Sequence, residues 1–401
     1  MEIYLDNSAT TRVDDDCIEL IQKIMKEDYG NPSSKHMKGM ESENYLKEAR
    51  KIIAGILKVN EKEIIFTSGG TESNNMALVG GALANNRAGR HIISTCFEHP
   101  SVLEPLKYLE SLSLPDGGRF EVTYLPVDSD GHISPEDLKR AMRPDTILVT
   151  TMLVNNETGA VQDVKAIGKL IKSINPKCLY HVDGIQGFGK YRIFPEKMNI
   201  DLLSVSSHKF HGPKGAGFLY KRDGVKVNPI ILGGGQQKGM RSGTDNVPGA
   251  AGMALAARKA YDDLDENVRH MTFLKDRLTE GLEELARQVR SEGNGGCYIK
   301  LNSKKAEDSA PHIVSAVFYP VKSEVMLHAL EDEGIYVSSG SACSSNKPGL
   351  SGTLMSMGLS AKEADCTLRL SLSKYNTPEE IDLTLEAVKA KYNILKNFVS
   401  H

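Results

Sequence analysis

The chain has 401 residues, 40% of them hydrophobic and 25% charged, and its 49 basic and 52 acidic residues give a formal net charge of -3. That length and apolar content suit a globular protein of two or three domains with a large core. The near-even charge argues against a nucleic-acid partner, and no basic block marks a membrane surface.

The N-terminus, MEIYLDNSATTRVDDD, lacks the basic start and apolar core of a secretory signal. No stretch approaches the roughly 18 apolar residues that cross a bilayer. The six cysteines, Cys17, Cys96, Cys178, Cys297, Cys343 and Cys366, include no CxxC pair. Their spacing suits neither a zinc ribbon nor a disulfide scaffold, so reduced thiols in a cytoplasm are expected. Each is by default a small buried apolar residue.

Short β-branched runs alternate with longer helical patterns. Ile64-Ile65-Phe66 runs into Ser68-Gly69-Gly70 and the helical ESNNMALVGGALAN. Strands are expected at His91–Ser94, Thr146–Val149 with its extension to Val154, Leu179–Asp183, Asp201–Val205 and Gly217–Tyr220. Apolar strands alternating with helices imply a largely parallel α/β sheet covered on both faces. Beyond Pro248 the chain turns charged and helical through Arg290 with few breakers, long enough to connect two lobes. Strand-like pieces follow at Ile313–Phe318 and Ile335–Ser338, with a helix between them ending at Gly334. Thr377 and Pro378 read as the N-cap and first residue of a final helix.

Chemistry-bearing residues cluster at strand ends, where open α/β sheets collect ligands. Lys209 lies in SSHKFHGPKG just after a strand, flanked by Ser206 and His208, both able to donate to a phosphate. A lone loop lysine is usually solvated; one in such a turn can attack a carbonyl if burial lowers its pKa. Asp183 ends the HVD strand, where a carboxylate can pair with a protonated pyridine nitrogen and keep a ring electron-poor. It can equally cap a turn. Gln186 follows it by three residues. In TSGGTESNN, the N–H groups of Gly70 and Thr71 open a helix that can seat a phosphate, although most Gly-Gly turns are plain connections. His99 suits ring stacking and proton transfer, or a structural loop. Asn156 sits at another strand end, where it can bond a cofactor or a substrate carboxylate. Arg369 alternates with Leu368 and Leu370, so it faces away from them and suits a carboxylate, or a surface ion pair. Cys343 lies in SSGSACSSNKPGLSG, a Ser/Gly stretch that suits an exposed nucleophilic thiolate. GGGQQKGMRSGT, residues 233–244, suits a phosphate-binding or subunit-contact loop.

Together these segments resemble the NifS/IscS-type cysteine desulfurases, within the class-V, fold-type-I pyridoxal-phosphate enzymes. The resemblance runs from YLDNSATT (4–11) and GNPSSKH (30–36) to the LRLSLS strand and the NTPEEID helix start. It implies a large cofactor domain over residues 13–257 with a mostly parallel seven-stranded sheet. A smaller α+β domain, built from residues 1–12 and 258–401, carries the cysteine loop. It implies that Lys209 holds pyridoxal 5'-phosphate as a Schiff base and later moves the α-proton. Asp183 faces the ring nitrogen, Gln186 the ring oxygen, and His99 stacks on the ring as acid or base. Gly70, Thr71, Ser206 and His208 bind phosphate, joined by Thr244 from a partner subunit. Asn156 and Arg369, helped by Asn31, hold the carboxylate of L-cysteine, and Cys343 takes the sulfur as a persulfide. The implied assembly is a homodimer that hands sulfur to an acceptor such as an Fe–S scaffold. No resident metal is implied, though Cys343 can contact an Fe–S cluster transiently. A selenocysteine lyase, a class-V aminotransferase and a non-catalytic scaffold relative are the competing readings. The sequence departs from the family at SLS, where SLG is common, which touches packing more than chemistry.

Overall fold

The computed structural model describes residues 2–293, 296–339 and 350–398. Its strands, in chain order, are β1 (Ile3–Tyr4), β2 (Ile64–Thr67), β3 (His91–Thr95), β4 (Glu121–Leu125), β5 (Thr146–Met152), β6 (Leu179–Asp183), β7 (Leu202–Ser206), β8 (Gly217–Lys221), β9 (Tyr298–Leu301), β10 (Ile313–Tyr319), β11 (Ile335–Tyr336), β12 (Ser338–Ser339) and β13 (Thr367–Ser371).

Seven of them form the main sheet in the order β2-β8-β7-β6-β5-β3-β4. All pairs are parallel except those of β8, which runs against both β7 and β2. Every residue of β2, β3, β5, β6 and β7 is buried, as a sheet covered on both faces requires. Alternate side chains enter opposite layers. Tyr180, Leu203 and Phe218 join one apolar core, and Leu179, Leu202 and Leu219 join the other. A four-stranded antiparallel sheet, β12-β13-β10-β9, and the parallel pair β1-β11 complete the strands. A separate core lies there, where Leu274, Leu278 and Leu282 meet Val314, Phe318, Leu368 and Leu370. The helix Pro378–Leu395 packs on it and opens with the capping box of Thr377 and Glu380.

The structure differs from the sequence expectation in three places. The helical stretch after Pro248 is two helices, Val247–Asp262 and Leu264–Ser291. The break falls at Asp263, whose φ of -102° and ψ of 18° leave the helical region without a glycine or proline to mark it. The strand expected over Ile335–Ser338 divides, with β11 pairing to β1 and β12 to β13. Edge strands β4 and β9 also form, where half-exposed alternation replaces an apolar run. Among the described residues no helix is long and apolar enough to cross a membrane.

Two helical glycines give opposite expectations. A Cβ on Gly168, in helix Val164–Ile174, would stand 2.1 Å from the Met198 carbonyl oxygen, while a Cβ on Gly55 would meet nothing within 4 Å. Gly168→Ala should therefore destabilise the fold by about 1–3 kcal/mol, and Gly55→Ala should stabilise it by up to about 1 kcal/mol. Urea unfolding midpoints measure both.

Candidate active site

The carboxyl ends of the parallel strands β2, β3, β5, β6 and β7 share one edge of the sheet, and a cavity of about 270 Å³ lies there. Gly70, Thr71, His99, Asn156, Asp183, Gln186, Ser206, His208 and Lys209 all line it, so nine of the expected residues converge from separate loops. The reversal at β8 makes room for this. Ser206 pairs with Gly217 across the last rung of β7 and β8, leaving residues 207–216 as a turn that carries Lys209 into the cavity.

Lys209 Nζ donates to the main-chain carbonyls of Ser8, at 2.5 Å, and Ala9, at 2.8 Å. Gln186 Nε2 donates to the same Ser8 carbonyl at 2.9 Å. The N-terminal segment thus forms one wall. Asp183 is the last residue of β6 and is buried. Its Oδ1 accepts from the Ile185 N–H at 3.0 Å and its Oδ2 from Asn74 Nδ2 at 2.8 Å. Burial raises its pKa against these two donors and against the nearby His99 and Lys209. A cationic partner reverses that cost, which suits a protonated ring nitrogen. Asn74 Nδ2 also donates to Ser101 Oγ at 2.9 Å.

His99 caps helix Pro100–Ser111, its Nδ1 accepting from the Ser101 N–H at 3.0 Å. Burial holds its pKa below the usual imidazole value. The neutral ring therefore carries its proton on Nε2. At the other end of the cavity, Gly69 adopts a φ of +150°, open to glycine and little else. A Cβ on Gly70 would strike Ile185 Cδ1 at 2.2 Å, so the backbone lies bare there beside Ser206. His208 Nδ1 meets Thr10 Oγ1 at 3.2 Å, and burial with three neighbouring lysines pushes its pKa down to about 4. Ser8 lines the cavity, and its buried hydroxyl has no partner. A buried acid, bare N–H groups and a free hydroxyl around one lysine are a donor set that fits pyridoxal phosphate.

Three expected residues lie outside the cavity lining. Arg369 is 2% exposed on β13 and faces away from Leu368 and Leu370 as expected. Its Nη1 donates to the Asn156 carbonyl at 3.0 Å and its Nη2 to Asp6 Oδ1 at 2.7 Å. Among the described residues Nε has no partner, while both Nη atoms are already engaged. Thr244 is exposed beside Ser68 and Gly217. Asn31 is exposed and accepts from the Ser33 N–H at 2.9 Å. Cys343 lies outside the described residues. Of the other thiols, Cys17, Cys178 and Cys366 are buried, and burial pushes them up to about 11, 12 and 11. They are protonated and unreactive at neutral pH.

Sequence reasoning missed Asn74, Ser101 and the carbonyls of Ser8 and Ala9. Asn74 lies one helical turn beyond Gly70 and Thr71, on the same helix, so its spacing was a usable signal. Main-chain carbonyls leave no such mark.

The chain matches the model of the family "Aminotransferase class-V" over residues 3–384. It is 41% identical over 395 residues to the "Cysteine desulfurase IscS" of Methanosarcina thermophila, covering 98% of this chain and 93% of that one. It is 39% identical over 388 residues to the protein of the same name from Dictyoglomus turgidum, covering 97% and 94%. A solved structure titled "NIFS-LIKE PROTEIN" superposes with a TM-score of 0.89 at 39% identity, covering 98% of this chain and all of the other. With the strand-end cavity, the buried acid and the lysine turn, these likenesses place the chain in the class-V aminotransferase family, among its NifS/IscS-type cysteine desulfurases.

Proposed function

We propose that the chain is a pyridoxal-phosphate-dependent cysteine desulfurase that converts L-cysteine to L-alanine and receives the sulfur on Cys343. The observation that carries this reading is the meeting of Lys209 with the buried Asp183 carboxylate in one cavity. The bound cofactor supplies an electron sink that weakens bonds at the substrate Cα and Cβ. Lys209 Nζ holds it covalently. Asp183 serves the ring nitrogen, Gln186 the ring oxygen, and Gly70, Thr71, Ser206 and His208 the phosphate.

The remaining chemistry belongs to the chain. Arg369 and the Asn156 side chain orient the substrate carboxylate. Lys209 Nζ moves the Cα proton, and neutral His99 is poised to donate from Nε2. The Cys343 thiolate attacks the substrate sulfur. A sulfur–sulfur bond forms as the carbon–sulfur bond breaks, and the electron pair stays with the carbon skeleton. That skeleton takes up protons and leaves as alanine, and Cys343 is left as a persulfide.

The separate apolar core under the small sheet supports a division into a large lobe, residues 13–257, and a small lobe of residues 1–12 and 258–401. The exposed position of Thr244 supports a homodimer in which the partner subunit's Thr244 completes the phosphate site. A cytoplasmic setting and an Fe–S scaffold as sulfur acceptor complete the proposal.

Cys343→Ala should abolish sulfur transfer and alanine release from L-cysteine while leaving the cofactor's absorbance intact; unchanged turnover overturns the role. Lys209→Ala should remove the borohydride-fixable cofactor and lower alanine release by at least about 10²–10⁴-fold, the usual worth of a positioned proton-transfer group. Asn74→Ala leaves Asp183 Oδ2 and Ser101 Oγ without their shared donor. Losing it costs about 1–3 kcal/mol, a weakening of roughly 5- to 150-fold in pyridoxal-phosphate affinity, read by absorbance titration.

A further inference from the structure

The mechanism leaves one half-buried lysine beside Lys209, Lys190, unused. Lys190 follows Gly189, whose φ is +77°, and its own N–H is held by the Gly187 carbonyl. Its side chain points at the cofactor turn. Lys190 Nζ donates to the main-chain carbonyl of Lys209 at 2.5 Å. Among the described residues no carboxylate pairs with it. Burial pushes its pKa down to about 7, and the charge of Lys209 pushes in the same direction.

Other charged groups do not account for this arrangement. A small cavity of about 30 Å³ behind Lys209 is shared by Lys190, His211, His312 and Lys374. Lys374 is already neutralised by Asp14, to which it donates at 2.9 Å. His208, His211 and His312 all have lowered pKa values, from burial first and from Lys190 among the further causes, so they are neutral near pH 7. In the cavity on the other side of Lys209, His99 is neutral and Asp183, whose pKa burial raises, carries no positive charge in either protonation state. Lys190 and Lys209 are therefore the two groups competing to carry positive charge here. A half-buried ammonium held, among the described residues, by a carbonyl and no carboxylate costs stability. Its value must lie elsewhere.

We propose that Lys190 is a positioning residue for Lys209: its hydrogen bond fixes the Lys209 main chain at the strand end, and its charge opposes protonation of the Lys209 side-chain nitrogen. Two neighbouring lysines lower each other's proton affinity, which keeps such a nitrogen available as nucleophile and base. The inference rests on Lys209 being the attachment lysine.

The test is a pH titration of the bound cofactor's absorbance in the loaded protein, comparing wild type with Lys190→Gln and Lys190→Arg. Gln keeps a donor and loses the charge; Arg keeps both. The midpoint for protonating the cofactor-bearing nitrogen should rise by about one pH unit or more in Lys190→Gln and stay at the wild-type value in Lys190→Arg. Lys190→Met serves as a second uncharged variant should the Gln protein not fold. A wild-type midpoint in the folded, loaded uncharged variant overturns the proposal, and so does an equal shift in the Gln and Arg proteins. Borohydride reduction and peptide mapping separate the two layers. Attachment at another lysine overturns the attachment reading and this inference together, whereas attachment at Lys209 with an unmoved midpoint overturns the inference alone.

Discussion

The carboxylate of Asp183 is taken out of water at the end of β6, and much of the site follows from that constraint. Among the described residues two amide donors face it, Asn74 Nδ2 and the Ile185 N–H, and its charged form carries a standing desolvation cost that raises its pKa. A cation brought against it lowers that cost. The same burial keeps His99 neutral, because the low-dielectric surroundings that penalise one charge penalise the other. Asn74 joins the two by bonding Asp183 and Ser101 together, while Ser101 holds His99. The acid, the amide, the hydroxyl and the imidazole are one connected unit.

The N-terminal segment is the second organising element. Ser8 and Ala9 offer their carbonyls to Lys209, and Ser8 also serves Gln186. Two residues earlier, Asp6 holds Arg369 on β13 and bridges to Ser371. Asn7 Nδ2 donates to the Ser371 carbonyl at 2.9 Å. One short strip of backbone therefore touches the lysine turn of the main sheet and the arginine strand of the small one. The spacing between the reactive amine and the carboxylate-binding arginine is set through this strip.

Much of this was legible in the sequence. Strands buried on both faces are continuous apolar runs, and the residues at their carboxyl ends must converge because parallel strands end on a common edge. That is why Asp183, Lys209, His99 and Gly70 could be named from position and chemistry. Edge strands β4 and β9 were hidden because half-exposed alternation in EVTYL and YIKL resembles loop sequence. The helix break at Asp263 was hidden because one residue leaving the helical region needs no special side chain. Arg369 was correctly faced inward, yet its partner Asp6 lies 363 positions away, and no local pattern encodes such a pairing. The main-chain acceptors for Lys209 were invisible for a simpler reason, since every residue owns a carbonyl.

The reach of the N-terminal strip also bears on how the chain matures. Residues 5–8 are synthesised long before their partner Ser371, which lies 363 positions beyond Ser8. The main sheet can form around its own core well before then, but its lysine lacks a finished wall until β13 is in place. Contacts this distant in sequence close late and slowly. The nascent protein therefore carries an incomplete pocket until β13 has been made, and the timing of site assembly is written into the connectivity of the fold.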